Sequence, residues 1–366
     1  MQLNKIIIIS LLIIFFNNTI RANNPIEGGE KKTIISGSIK DASNGEQLLG
    51  ATVLVKELKT GTATNMYGFY SLSLIPGKYT LVFSYIGYQS VEKTIELKSN
   101  LTLNVELKSA QNELQGVVIT EKRSNENVTK NEMSVVRMDA KTIRQIPAFM
   151  GEVDIIKAMQ LLQGVQTTSE GASGFSVRGG SPDQNLILLD EATVYNASHL
   201  LGFFSVFNND AIKDVKIYKG DIPMNYGGRL SSVLDVRMND GNDKHFEGTG
   251  GIGNISSRLT LEGPLLKDKT SFILSGRRTY FDLFLPLSSD EKIRDNTLYF
   301  YDFNAKIAHT INENNLIYLS GYFGRDVFNN NFSRLNSGNQ TFTLRWNHLF
   351  SKKIFSNFMF IYSKYD

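Results

Sequence analysis

The sequence predicts a mainly β protein in three parts: a small N-terminal sandwich, a mixed α and β middle, and the first strands of an incomplete transmembrane β-barrel. Three observations carry this. The chain of 366 residues holds 30 Gly against 7 Pro, and 15 Tyr and 23 Phe against one Trp, a composition of turn-rich, aromatic β structure. Apolar and polar residues alternate with period two through residues 33–108 and again beyond 299. In the later stretch the apolar face is strongly aromatic and the opposite face charged, as lipid on one side and a polar interior on the other require. The length allows about two or three domains. A net charge of +3, from 39 Lys and Arg against 36 Asp and Glu, implies no nucleic-acid partner.

Residues 1–22 join Lys5 to the apolar run Ile6–Phe16, then Asn17, Asn18 and Ala22. The run is well short of the ~20 residues of a membrane-crossing helix, so it reads as a secretory signal peptide. Its cleavage site is blurred by Ile20. With no cysteine in the chain, disulfides, thiolate metal sites and an acylated lipoprotein cysteine are excluded, and membrane attachment falls to the fold itself.

Residues 33–108 read as strands. In LTLNVEL (Leu101–Leu107) the odd positions are apolar, and Tyr70, Leu72 and Leu74 alternate with serines before the Pro76-Gly77 turn. About seven such strands make a β-sandwich with one buried face per sheet. The stretch Ser36–Tyr88, SGSIKDASNGEQLLGATVLVKELKTGTATNMYGFYSLSLIPGKYTLVFSYIGY, resembles the carboxypeptidase-regulatory-like domain, which implies a transthyretin-like sandwich with an accessory role and no catalytic pocket.

Residues 109–134 are polar and charged apart from the β-prone pentapeptide Gly116, Val117, Val118, Ile119 and Thr120. An isolated strand can be offered to another protein. Pattern alone favours a plainer reading, the last sandwich strand or an apolar patch of linker.

The middle region, 135–240, opens with GEVDIIKAMQLLQGV (Gly151–Val165), where Val153, Ile156 and Met159 lie at helical spacing and Gly164 is the stop. Asn185–Asp190 (NLILLD) is a buried-looking strand closed by an acid. Further on, Asn208 or Asn209 caps a brief helical turn before the strand VKIYKG. Two glycine pairs sit beside arginines, Arg178-Gly179-Gly180 and Gly227-Gly228-Arg229. Glycines let the backbone turn tightly or approach another wall, and arginine can fork onto a carboxylate across it. The plainer alternative is two ordinary loops with solvated arginines.

From VRGG through QNLILLD and VFNNDAI to YGGRLSSVLDV, the blocks between Val177 and Val236 resemble, in order, the plug domain of TonB-dependent outer-membrane receptors of the Bacteroidetes type. The resemblance implies that Gly116–Thr120 is the TonB box, that Arg178, Gly179, Gly180, Asp190, Gly227, Gly228 and Arg229 form the plug motif, and that the two arginines pair with carboxylates of the inner barrel wall. It implies as partners the TonB energy-transducing complex, outer-membrane lipid and a small-molecule or oligomeric nutrient, and it admits a surface-exposed substrate-binding lipoprotein. The family's helix ends in Pro-Gly-Val, where this chain has Gln163-Gly164-Val165.

Residues 245–366 test that resemblance independently. Tyr299, Tyr301, Phe303, Ala305, Ile307 and Ile311 share one face, opposite Asp302, Asn304, Lys306 and Thr310. Phe342, Leu344, Trp346 and Phe350 face away from Thr341, Thr343, Arg345 and Asn347. Connections alternate between the short LLKDKT, NENN and SKK and the long FDLFLPLSSDEKIRDNT and VFNNNFSRLNSG, as periplasmic turns and outer loops do. About seven strands are expected, fewer than the about 22 that enclose a plug, so the chain is expected to be part of a larger barrel.

No catalytic, cofactor or metal residues are expected. Gly248–Gly253 fits GxGxxG but runs on into a strand pattern, where a dinucleotide site needs a helix N-terminus. His199, His245, His309 and His348 lack ligand spacing, and no serine sits in a GxSxG elbow. The expected function is TonB-dependent nutrient uptake across the outer membrane, with sandwich and TonB box in the periplasm. The alternative is an exported adhesin that transports nothing, which predicts soluble strands without a lipid-facing aromatic girdle. An enzyme with the sandwich as accessory comes third and lacks a motif.

Overall fold

The computed structural model describes residues 32–110, 134–139, 152–168, 173–330 and 332–366, with Thr142, Ile143 and Gln145 between them. The pentapeptide Gly116–Thr120 and the signal region lie outside the described residues.

The N-terminal sandwich has two four-stranded sheets. Thr33–Asp41 lies at the centre of one, between Phe69–Leu74 and Leu101–Thr102, and also pairs with Val105–Leu107. The other runs Thr60–Ala63, Thr52–Val55, Gly77–Ser84, Val91–Leu97. Ile35, Ile39, Val53, Val55, Leu81 and Phe83 meet between them, fully buried, with Tyr70 edge-on to Phe83 at 5.9 Å. The alternation of LTLNVEL is real, but it is not one strand. It breaks at Leu103 and Asn104, because the Leu103 carbonyl accepts the Tyr70 hydroxyl and Asn104 Oδ1 accepts the Ser38 amide.

The middle domain is a five-stranded mixed sheet in the order Ala192–Thr193, Asn185–Leu189, Ser232–Met238, Ile212–Tyr218, Val135–Asp139, with Asn185–Leu189 parallel to Ser232–Met238. Among the described residues, a helix near residues 155–160 packs against it. The predicted helix over Gly151–Val165 shrinks to Ile155–Gln160, because Asp154 caps the Ile156 and Lys157 amides and Leu161 turns out to solvent. The helix thus stops at its C-cap Leu161 and not at Gly164, which turns at φ of +80° just before the strand Val165–Thr167. Residues 209–211 form the expected brief turn, capped by Asn208, whose Oδ1 accepts the Asp210 amide and whose carbonyl accepts the Ala211 amide, while Asn208 Nδ2 donates to Ser275 Oγ and Asn209 Nδ2 to the Val153 carbonyl.

The third part is a single seven-stranded antiparallel sheet, Glu247–Ile252 through Ile354–Tyr365, open at both edges. Its burial is inverted relative to a soluble sheet: Phe303 is 47% exposed and Trp346 40%, while Asp302, Asn304, Lys306 and Asn347 are each 2% exposed. Both strands read from the sequence thus turn their polar face inward, onto the plug. Three connections at one end are tight, at residues 267–269, 313–314 and 352–353. At the other end residues 280–296 form a long excursion with two short helices. The second predicted long loop is mostly strand, because Asn315–Asn329 and Arg334–Ser351 stay in register out to Asn329 and Arg334. The GxGxxG segment is the edge strand Glu247–Ile252. Among the described residues no helix is long and apolar enough to cross a membrane.

Candidate functional site

The site is the seat in which the plug meets the wall. Strand Asn185–Leu189 runs alongside Ser232–Met238 and ends in Asp190 and Glu191, both at positive φ (+44° and +74°). This uncommon backbone turns the two adjacent acids out of the sheet toward the wall. Asp190 Oδ1 accepts the Met238 amide, which fixes the turn, and Oδ2 lies 2.9 Å from Lys306 Nζ. Lys306 also lies 2.8 Å from Asp240 and donates to the Met238 carbonyl at 2.9 Å. Glu191 Oε1 takes Arg237 Nη1 at 2.7 Å and the Tyr67 hydroxyl at 2.9 Å, with wall residue Arg345 at 3.7 Å. Burial pushes the Asp190 carboxyl up, but Lys306 and Arg345 together outweigh it and hold the group below its ordinary value. Burial acts the same way on Glu191, and Arg237 and Arg345 likewise override it.

Further along the interface the polarity repeats. Plug residue Glu152 lies 3.6 Å from Arg277 of the wall and accepts the Ser256 hydroxyl, and Asp210 takes Arg258 Nε at 2.7 Å. Arg277 forks onto Asp302 at 2.6 Å and donates to the Ser205 carbonyl. One plug cation answers in the other sense. His199 stacks on Phe300 at 4.2 Å, with Nδ1 2.9 Å from Asp326 and Nε2 3.1 Å from the Tyr322 hydroxyl and 3.5 Å from Asp302. Burial lowers its pKa, but Asp302 and Asp326 outweigh burial and hold the imidazole above its ordinary value. Among the described residues no group of three or more His, Cys, Asp or Glu is placed to hold a metal.

Of the residues singled out by sequence, Asp190 lies in this seat. The glycine pairs do not. They sit at the opposite, N-terminal ends of the parallel strand pair, roughly 16 Å away for five residues of strand. There the turns that follow them touch: a Cβ on Gly180 would meet Ser231 Oγ at 2.3 Å, and the Leu230 and Ser231 amides both donate to the Gln184 carbonyl. Gly179 and Gly228 turn at positive φ. The glycines therefore let one strand's entry turn pack against the other's.

The arginine pairing is not made among the described residues. Arg178 donates to Ser134 Oγ at 2.7 Å, and the exposed Arg229 reaches only the Gly228 carbonyl. Neither meets a wall carboxylate among the described residues. The actual wall pairs are dominated by plug acids and wall cations. Lys306 and Arg345 had been placed on the inner face by alternation, but Glu191, Glu152 and Asp210 carried no local signal of their partners.

A two-sheet sandwich, a mixed-sheet domain and a wall of inverted strands gripping that domain define the fold of a plugged barrel. The comparisons agree. The CarboxypepD_reg-like domain family matches residues 35–119, and the TonB-dependent Receptor Plug Domain family matches residues 128–232. TonB-dependent receptor P39 of Formosa agariphila is 36% identical over 85 residues, covering 23% of this chain and 8% of its own length. TonB-dependent receptor SusC of Bacteroides thetaiotaomicron is 29% identical over 263 residues, covering 64% of this chain and 24% of its own. Among solved structures, the siderophore receptor PirA from Pseudomonas aeruginosa aligns over 64% of this chain and 41% of its own, at 16% identity and a TM-score of 0.46. The chain carries these two domains and is similar to TonB-dependent receptors, and it matches under a quarter of the length of these curated relatives.

Proposed function

We propose that the chain supplies the periplasmic sandwich, the plug and the first wall strands of an outer-membrane receptor for TonB-dependent uptake of an extracellular nutrient, a glycan, siderophore, cobalamin or peptide. The plug seat is the observation that supports this reading. Lys306 and Arg345 on the wall's inner face hold Asp190 and Glu191 of a separate domain, so the domain blocks the wall's interior and must be displaced to open it. No nucleotide supply exists at the outer membrane, so the force comes through a partner. On this reading Gly116–Thr120 adds a strand to a sheet of the TonB complex, a main-chain ladder suited to pulling. A surface-exposed lipoprotein that hands over the substrate is a further partner this reading admits.

The test is Val118→Pro in the full-length receptor. Proline removes a ladder donor, so uptake is expected to be abolished with expression unchanged. Normal uptake in that variant overturns the assignment.

A further inference from the structure

The N-terminal sandwich is bound to the plug and the wall at once, through side chains that its own fold does not use. Glu46 leaves a sandwich loop with 10% of its side chain exposed, accepts the Asp240 amide at 2.6 Å and faces plug residue Lys213 at 3.4 Å. Asp240 is the residue that also takes Lys213 at 3.3 Å and wall residue Lys306 at 2.8 Å. A charge relay therefore runs from sandwich through plug to wall. Tyr67 begins a second one: its hydroxyl donates to Glu191 at 2.9 Å, its ring lies 5.1 Å below the Arg345 guanidinium, and it stacks on wall residue Phe355 at 5.2 Å. Both relays end on the two cations that grip Asp190 and Glu191.

A third contact lies on the plug's edge strand. Arg137 pairs with Asp214 of the neighbouring strand at 2.7 Å and donates to the Leu49 carbonyl of the sandwich at 2.7 Å. That strand, Val135–Asp139, is the first plug element after residues 111–133, and the sandwich is the last element before them. Both ends of that segment are thus fixed to bodies that are fastened to each other. Burying Glu46 is costly unless its partners are in place, so the loop carrying it is shaped for this interface and not for solvent.

We infer that the sandwich is a clasp that holds the plug in its seat: Glu46, Tyr67 and the Leu49 carbonyl bind plug and wall together, and the plug leaves the wall only after the sandwich lets go. This rests on the reading of the chain as a gated transporter. A pull on the segment between sandwich and plug loads both bodies, and parting them breaks the Glu46 and Tyr67 relays first. Lys306 and Arg345 then hold the plug with fewer partners.

The experiment compares the full-length receptor with its Glu46→Gln, Tyr67→Phe double variant and with a deletion of residues 33–108. Hydrogen exchange of strands Ile212–Tyr218 and Ser232–Met238 is followed alongside leakage of a bulky antibiotic into cells. In the double variant exchange of these strands is expected to quicken about tenfold, with leakage raised, while strands Thr33–Asp41 and Gly77–Ser84 keep their protection. Unchanged plug exchange and unchanged leakage in the double variant overturn the clasp, whether or not the deletion assembles. Absence of TonB-dependent uptake by the unaltered receptor instead overturns the transport reading, and the exchange comparison still reads the clasp.

Discussion

The sandwich and the wall are built from the same period-two alternation and bury opposite faces of it. In Thr52–Val55 and Gly77–Ser84 the apolar residues Val53, Val55, Leu81 and Phe83 go inward, and the sheet's other face meets water. In Thr297–Asn312 the inward residues are Asp302, Asn304 and Lys306, and Phe303 and Ile307 are left outside. Alternation fixes only which residues share a face. The solvent fixes which face turns in, and for the wall that solvent is hydrocarbon. The two regions consequently fail differently, the sandwich by cavities and the wall by stranded charge.

The largest expected effect tests that difference. Lys306→Ala leaves Asp190 and Asp240 buried without their shared cation, at a cost of about 3–5 kcal/mol. The plug should loosen from the wall while the sandwich core is untouched, read as antibiotic leakage with normal sandwich hydrogen exchange. A tight plug in that variant would mean that the inner face is held by shape and not by charge.

Phe303→Arg sharpens the comparison from the outer side. If the outward face meets lipid, the substitution costs about 2–4 kcal/mol near the bilayer midplane. The fraction of receptor showing a heat-modifiable gel shift should fall accordingly. Near-neutral behaviour would mean that the face meets water, as the sandwich's outer face does.

The smallest effect is expected from His199. Its pKa is raised in the folded protein by Asp302 and Asp326, so its contribution is complete below the ordinary histidine value of about 6.5 and fades as pH rises through the folded value. Hydrogen exchange of Ser198–His199 should quicken from pH 5 to pH 9 beyond the intrinsic rate change, and His199→Gln should remove that excess.

Much of the fold was legible because it rests on local repeats. The alternation at 299–311 and 341–350 gave wall strands and their facing. The site was legible only in part. Asp190 stood out as an acid closing an apolar strand, but Glu191 beside it carried no signal, because its role depends on Arg237 and Arg345, 46 and 154 residues further along the chain. The arginines beside the glycine pairs show the same limit: a guanidinium calls for an acid, and the local pattern does not say whether one of the described wall strands supplies it. Arg178 found the Ser134 hydroxyl, and Arg229 stayed in solvent. The continuous strand read into Leu101–Leu107 failed on side-chain chemistry, since Asn104 spends its amide oxygen on a neighbouring strand.

The polarity of the seat also bears on what could pass once it is empty. A withdrawing plug carries away Glu152, Asp190, Glu191 and Asp210, and leaves Arg258, Arg277, Lys306 and Arg345 on the wall, with Asp302 and Asp326 as wall acids among them. A pathway lined in this way draws anions toward it and repels small cations, in proportion to how little salt screens it. The contacts that keep the gate shut would then act, with the gate open, as an electrostatic filter, and the reversal potential of the opened receptor in a salt gradient would carry the sign of that filter.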